Sequence, residues 1–203
     1  MITIIDYGLG NIGSVVNTMT ALGVPCNVSS DPFVIGSAAA LLLPGVGAAG
    51  AGMQNLKSRG LDAALRKTIT RGRPFIGFCL GMQLLFEYSE EADTACLGIL
   101  KGSVRKFRAE KKVPQIGWNT VSVNPQNAAA VRLFNGIPNS EFYFVNSYYP
   151  VPVNPELVAA TTRYGETFAS AVAYDNIFAT QFHPEKSGKA GEVLLTNFIK
   201  ENL

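Results

Sequence analysis

The run Arg73-Pro74-Phe75-Ile76-Gly77-Phe78-Cys79-Leu80-Gly81-Met82-Gln83 constrains the fold of this chain more than any other. Residues 74–78 read as a buried strand and 80–88 as a helix, with one cysteine at the turn between them. Gly77 and Gly81 flank Cys79 two residues before and two after, which is the cysteine counterpart of the G-x-S-x-G elbow. The elbow residue is forced into a strained backbone conformation, so its neighbours must be small. Such a turn lifts the thiol off the strand and sets it at a helix N-terminus, whose positive end favours thiolate. The Leu80 N–H would then face the place where an oxyanion forms. A cysteine alone reads as well as a buried core residue; the paired glycines favour the elbow.

The segments before the elbow alternate strand and helix. Residues 2–5 read as a strand stopping at Asp6, and 11–22 as a helix with Asn11 as N-cap and Gly23 as its stop. Residues 24–28 and 40–43 read as further strands, the latter ended by Pro44-Gly45-Val46-Gly47. Residues 56–70 have helical spacing (Leu56, Leu61, Leu65, Ile69) broken near Gly60. Apolar strands alternating with helices imply a parallel sheet covered on both faces. After the elbow, 97–107, 120–123, 131–134 and 141–149 look like strands joined by turns. Residues 168–174 and 177–181 flank a hairpin turn at Asp175-Asn176, and 192–199 closes the chain as an amphipathic helix. The expectation is one α/β domain over 1–203, with a mostly parallel central sheet flanked by helices and added antiparallel strands.

Composition narrows the function classes. Hydrophobic content of 47% with 16% charged residues favours a large core over disorder, and a net charge of +2 gives no case for a nucleic-acid binder. Cys26, Cys79 and Cys96 are an odd number without CxxC spacing, which argues against a disulfide framework or a metal site and for a reduced, cytoplasmic chain. The start Met-Ile-Thr-Ile-Ile-Asp has neither a basic region nor a long apolar run, so no signal peptide and no membrane span are expected.

The single histidine of the chain stands in Gln181-Phe182-His183-Pro184-Glu185. In an extended segment His183 and Glu185 project to one side, so the carboxylate could accept the imidazole N–H and fix its orientation, with Pro184 stiffening the spacing. Thiol, imidazole and carboxylate together are the equipment of nucleophilic acyl transfer. A second oxyanion donor has its best candidate at Val46, whose flanking glycines let a peptide turn its N–H toward a substrate; the alternative is an ordinary strand-ending turn. Gly8-Leu9-Gly10-Asn11-Ile12-Gly13 is a literal G-x-G-x-x-G with Asp31 beyond it, the outline of a dinucleotide site. Asp6 would set negative charge beside the pyrophosphate, and a glycine turn packed against the sheet is the preferred reading.

The segments Asp6–Ile12, Leu43–Gly47, Gly77–Leu85, Gly117-Trp118-Asn119, Phe142–Val145 and Gln181–Gly188 occur in this order. Together they resemble the class I glutamine amidotransferases, and among these the glutaminase-subunit family of imidazole glycerol phosphate synthases, over essentially the whole chain. The resemblance implies that Cys79 attacks the side-chain amide of L-glutamine to give a glutamyl thioester, that His183 shuttles protons, and that Glu185 orients it. It implies oxyanion donors at Val46, after a backbone flip, and at Leu80. It implies glutamine contacts at Gly47, Gln83, Glu91, Ser147 and Tyr148; a solvated acidic helix end is the other reading of Glu91. No cofactor is implied. Ammonia would pass to a barrel-shaped cyclase subunit bound as a heterodimer, making imidazole glycerol phosphate in histidine biosynthesis, with low glutaminase activity until the partner is loaded.

Asn11 and Trp118 are the interface candidates from the same resemblance, with a core position the alternative for this lone tryptophan. Lys101, Arg105, Lys106, Arg108, Lys111 and Lys112, opposed only by Glu110, form a basic run that faces either the partner or solvent. The family usually carries histidine where Gln115 and Asn146 stand here. Neither change touches the expected triad. Together with Tyr148-Tyr149 they leave room for a paralogue that feeds ammonia to a surface-sugar synthase.

Overall fold

The computed structural model describes residues 1–108 and 112–203. In chain order, β1 (Ile2–Ile5) leads to α1 (Ile12–Ala21), β2 (Cys26–Ser29), α2 (Pro32–Ser37) and β3 (Ala40–Leu43). Then come α3 (Ala49–Ser58), α4 (Leu61–Thr70), β4 (Phe75–Phe78) and the single turn α5 (Leu80–Gln83). Short strands follow: β5 (Tyr88–Ser89), β6 (Thr94–Ala95), β7 (Gly102–Lys106), β8 (Gln115–Thr120) and β9 (Ser122–Val123). After α6 (Ala128–Leu133) come β10 (Glu141–Asn146), β11 (Tyr148–Pro152), β12 (Val158–Tyr164), β13 (Glu166–Tyr174) and β14 (Ile177–Thr180), and α7 (Gly188–Asn202) ends the chain.

The large sheet has the order β2-β1-β3-β4-β14-β13-β12-β9. From β2 through β14 all pairings are parallel, and from β14 outward they are antiparallel. This is the expected α/β arrangement, a mostly parallel sheet with antiparallel strands added on one side. Successive side chains of its strands enter two different cores. Ile2, Ile4, Leu42, Ile76 and Phe78 pack with Val15, Met19, Leu194 and Phe198 on one face. Ile5, Leu41, Leu43 and Phe75 pack with Met53, Leu56, Leu65 and Ile69 on the other. Burial on both faces is why these strands read as unbroken apolar runs. Two smaller sheets, β10-β8 and β11-β7-β5-β6, stand beside the large one.

Several boundaries differ from the sequence expectations, each for an identifiable reason. The helix expected over 80–88 stops at Gln83 because Leu97, Gly98, Ile99 and Leu100 donate their N–H groups to the carbonyls of Leu84, Phe86 and Leu85. Residues 131–134, expected as a strand, lie in and just after α6, where the Asn127 side chain accepts from the Ala130 N–H and three alanines favour helix. The single strand expected over 141–149 breaks at Ser147 into β10 and β11, which belong to different sheets. α2 was not expected, although Asp31 accepts from the Phe33 N–H at 2.8 Å and Pro32 occupies the first turn, the usual start signal. α3 begins at Ala49, ahead of the expected 56, because glycine and alanine there carry no apolar stripe to read; Gly52 instead lets the helix approach Leu84 and Leu80. β12 was also missed, and only 102–106 of the expected 97–107 is strand.

Candidate functional site

Parallel α/β sheets present their binding crevices beyond the carboxyl ends of the strands. Here Pro44–Gly47 follows β3, Cys79 follows β4 and Gln181–Glu185 follows β14, and these strands are neighbours. Cys79 has φ +50° and ψ −106°, a conformation that side-chain-bearing residues avoid, and its N–H donates to the Thr180 carbonyl at 2.7 Å. The flanking glycines are needed for close approach. A Cβ at Gly77 would lie 2.9 Å from the Gly81 carbonyl oxygen, one at Gly81 would overlap the Leu43 carbonyl oxygen, and one at Gly45 would lie 2.6 Å from the Gly81 nitrogen. The elbow read from the sequence is therefore locked against the β3 turn.

His183 and Glu185 meet as expected, but by another route. His183 Nδ1 lies 2.8 Å from Glu185 Oε1, and the two side chains are 1% and 3% exposed. They do not share one face of a strand. Pro184–Lys186 is a 3₁₀ turn, held by Lys186 N–H to the His183 carbonyl and Ser187 Oγ–H to the same oxygen at 2.6 Å. Proline presets the φ that starts this turn, so Glu185 curls back onto the ring. His183 Nε2, buried, has no hydrogen-bond partner among the described residues. Burial pushes the imidazole pKa down, but the neighbouring Cys79, together with the hydrogen bond and charge of Glu185, pushes it further up, to about 10.

This shift carries a sign. A histidine whose folded pKa of about 10 exceeds its ordinary 6.5 stabilises the fold fully below about pH 6.5, and that stabilisation is lost as pH rises through about 10. Between those two values the wild type is expected to lose more thermal stability than Glu185→Gln, which lacks one cause of the shift. Parallel melting curves over this range would contradict the coupling.

A cleft of about 240 Å³ opens over the elbow, lined by Val46, Gly47, Cys79, Leu80, Gln83, Glu91, Ser147 and Tyr148, together with Pro114, Val145 and Asn146. The structure thus gathers on one cavity eight of the residues singled out in the sequence, with the His183–Glu185 pair buried near its sulfur. Glu91 is more than a solvated helix end. Its Oε2 accepts from the Ala49 N–H at 2.7 Å, at the start of α3, and it lines the cleft. Gln83 is also tied: its Nε2 donates to the Tyr148 carbonyl at 3.0 Å and to Gln181 Oε1 at 2.9 Å. Leu80 opens α5, so its N–H has no acceptor within the helix.

Other sequence candidates fall elsewhere. Asn11 is exposed and caps α1 through its Oδ1, which accepts from Ser14 N–H at 3.1 Å. Trp118 is 55% exposed and stands edge-on to Tyr143, with Ile116 62% exposed two residues away; the core reading of the tryptophan is wrong. In the basic run, Arg108 pairs with Glu90 at 3.1 Å, while Glu110 and Lys111 lie outside the described residues. The glycine-rich turn packs as the preferred reading had it: a Cβ at Gly10 would touch Pro44, and Asp31 is spent on capping α2. Among the described residues no group of three or more His, Cys, Asp or Glu could hold a metal ion, and no helix is long and apolar enough to cross a membrane.

Three participants escaped the sequence reading. Gln181, fully buried, donates from Nε2 to Cys79 Sγ at 3.4 Å. Tyr7, fully buried, donates its hydroxyl to the Pro44 carbonyl at 2.9 Å, and burial, then the neighbouring Cys79, push its phenol well above its usual pKa so that it remains a donor. Asn146, named only as a departure, lines the cleft and donates to the Tyr148 carbonyl at 3.0 Å. It sits opposite Gln115 across β10 and β8, so the two departures form one cross-strand pair. Gln115 Oε1 and Nε2 are buried and unpartnered among the described residues, for which the structure offers no compensating contact. Only the Gln-Phe-His-Pro-Glu string could have pointed to Gln181, since its contact with Cys79 joins residues 102 positions apart.

Comparison with known proteins agrees with this geometry. The family model of the class-I glutamine amidotransferases matches residues 3–202. The chain is 47% identical to the "Imidazole glycerol phosphate synthase subunit HisH" of Dehalococcoides mccartyi, over 98% of this chain and 97% of that protein. It is 48% identical to the HisH subunit of Moorella thermoacetica, over 97% and 93% of the two. A crystal structure of a glutamine amidotransferase, 19% identical, superposes with a TM-score of 0.74 over 98% of this chain and 97% of that one, and so shares the fold. The elbow, the sheet that carries it and matches running nearly end to end agree: the chain belongs to the class-I glutamine amidotransferases, in the family of the imidazole glycerol phosphate synthase HisH subunits.

Proposed function

We propose that the chain works as a single glutaminase domain of imidazole glycerol phosphate synthase in the cytoplasm, hydrolysing L-glutamine and delivering ammonia to a cyclase partner subunit for histidine biosynthesis. The observation that carries this reading is the positive-φ Cys79 at the floor of a cleft, beside the buried His183–Glu185 pair.

Glutamine enters with its side-chain amide over Cys79. The sulfur attacks the amide carbon, and the carbonyl electrons move onto oxygen, stabilised by the Leu80 N–H and, after a turn of its peptide, the Val46 N–H. Protonated His183 gives its proton to the departing nitrogen, ammonia leaves, and a glutamyl thioester remains. Neutral His183 then takes a proton from water as the water attacks the thioester, and collapse of that intermediate returns thiolate and imidazolium with glutamate released. Glu185 holds the imidazole in one orientation throughout. Glu91 has one oxygen not engaged by Ala49, which suits the substrate ammonium, while Gly47, Ser147 and Tyr148 form the wall.

The exposed Trp118 and Ile116, with Asn11, are assigned to the cyclase interface. Trp118→Ala is expected to weaken the heterodimer by about 2 kcal/mol, about thirtyfold in Kd, as for a buried aromatic anchor. Titration calorimetry with the cyclase subunit measures this; unchanged affinity would place the interface elsewhere. The function itself is tested by glutamate release from the purified chain, alone and with the cyclase subunit plus its nucleotide ligand. Weak activity alone and strong stimulation in the complex are expected. Silence in both states would refute the glutaminase reading, and activity without stimulation would point to a different synthase as partner.

A further inference from the structure

We infer that Gln181 is the hydrogen-bond donor that holds the Cys79 sulfur, and that Gln83 and the Tyr148 carbonyl set its direction. The argument rests on which atoms can donate. A backbone carbonyl only accepts, so the Tyr148 oxygen requires the nitrogen of the Gln83 amide to face it, at 3.0 Å. The same Nε2 has a second proton, and at 2.9 Å it meets Gln181, which must therefore present Oε1. That leaves Nε2 of Gln181 on the far side, 3.4 Å from Cys79 Sγ. No amide in this series can be reversed without placing two acceptors, or two donors, against each other. Gln181 is fully buried and Gln83 is 5% exposed, so water does not compete for these groups.

The Tyr148 carbonyl also accepts from Asn146 Nδ2 at 3.0 Å. Asn146, Ser147 and Tyr148 form the cleft wall at the break between β10 and β11. One of the two departures from the family pattern is thus joined to the nucleophile through three shared amide and carbonyl groups, which corrects the expectation that it leaves the triad untouched. In the reaction proposed above, on which the catalytic part of this inference rests, a donor at sulfur stabilises the thiolate before attack. It does so again when the C–S bond breaks and the electron pair returns to sulfur. Gln181 does not itself line the cleft, so its direct contact is with the sulfur and not with glutamine.

The test reads the sulfur directly. The rate of Cys79 alkylation by iodoacetamide is followed against pH by mass spectrometry; Cys96 serves as an internal reference, because burial pushes its thiol up to about 11. Losing a hydrogen bond to a charged group is expected to move the Cys79 midpoint upward by about one pH unit in Gln181→Met, about tenfold slower alkylation below the midpoint. Gln83→Met removes the group that orients Gln181 without touching the sulfur, and is expected to move the midpoint the same way by less. In the cyclase complex, Gln181→Met should lower kcat by about tenfold with KM unchanged. A Gln181→Met profile that superposes on wild type overturns the inference. If that variant fails to fold, a Gln83→Met profile superposing on wild type does so instead. Alkylation needs no glutamine, so loss of the glutaminase reading would leave this outcome standing on its own.

Discussion

Replacement of Cys79 by serine is expected to lower glutamate release in the cyclase complex by about 10⁴-fold or more, the scale seen when a nucleophile acting as part of a unit is removed. Folding should survive, since the two side chains differ by one atom and Cys79 is near the cleft floor. The large effect follows from the state of the pair. With its pKa raised to about 10, His183 already holds a proton at neutral pH and is ready to give it to the departing nitrogen. A serine hydroxyl binds its proton far more tightly and would need a neutral imidazole before attack. Gel filtration and circular dichroism should match wild type while glutamate production disappears. Undiminished activity in this variant would remove Cys79 from the chemistry and with it the proposed mechanism.

Gly81→Ala is expected to destabilise the chain by about 3 kcal/mol, at the upper end of what overpacking costs, and to abolish activity as well. The added Cβ would overlap the carbonyl oxygen of Leu43, whose carbon would lie 3.0 Å away. β3 cannot retreat, because it pairs with β1 on one side and with β4 on the other, Leu43 opposite Gly77. The elbow would have to move instead, taking the Cys79 sulfur and the Leu80 N–H out of register with the cleft. Gly13→Ala is the control: it stands in α1 with only its Asn11 neighbour's oxygen at 3.8 Å, and it should be neutral or stabilising by about 0.5–1 kcal/mol. Urea unfolding of both variants measures the contrast. Equal midpoints for Gly81→Ala and wild type would mean that the elbow is not packed as described.

Much of the parallel sheet was legible because its signals are local. Four apolar strands at 2–5, 24–28, 40–43 and 74–78 correspond to β1 through β4, and the hairpin at Asp175-Asn176 lies where two strands meet a polar turn, with Asp175 at φ +49°. The antiparallel half was harder. Residues 131–134 have β-compatible composition, yet a cap at Asn127, four residues before Val131, and a run of alanines decide for helix. The break at Ser147 could not be read at all, because β10 and β11 are fixed by different partners, β8 and β7, far apart in sequence.

The candidate site divides along the same line. Cys79 between two glycines, and His183 two residues before Glu185, are spacings of a few residues, and sequence alone determined that a thiol, an imidazole and a carboxylate would be paired with turns able to aim them. Only the tertiary structure decided how they are aimed. Glu185 reaches the imidazole through a 3₁₀ turn started by Pro184, and a Cβ at Gly191 of α7 would overlap the Pro184 carbonyl, so that turn depends on a helix packed against it. The Cys79 sulfur is oriented by Gln181, Gln181 by Gln83, and Gln83 by a carbonyl on β11. Those hydrogen bonds join residues 65 to 102 positions apart, and burial of both faces of the sheet is what brings them within 3.5 Å of one another. Local spacing selects the chemistry; the direction in which each donor points is set by partners that only the packed sheet brings into reach.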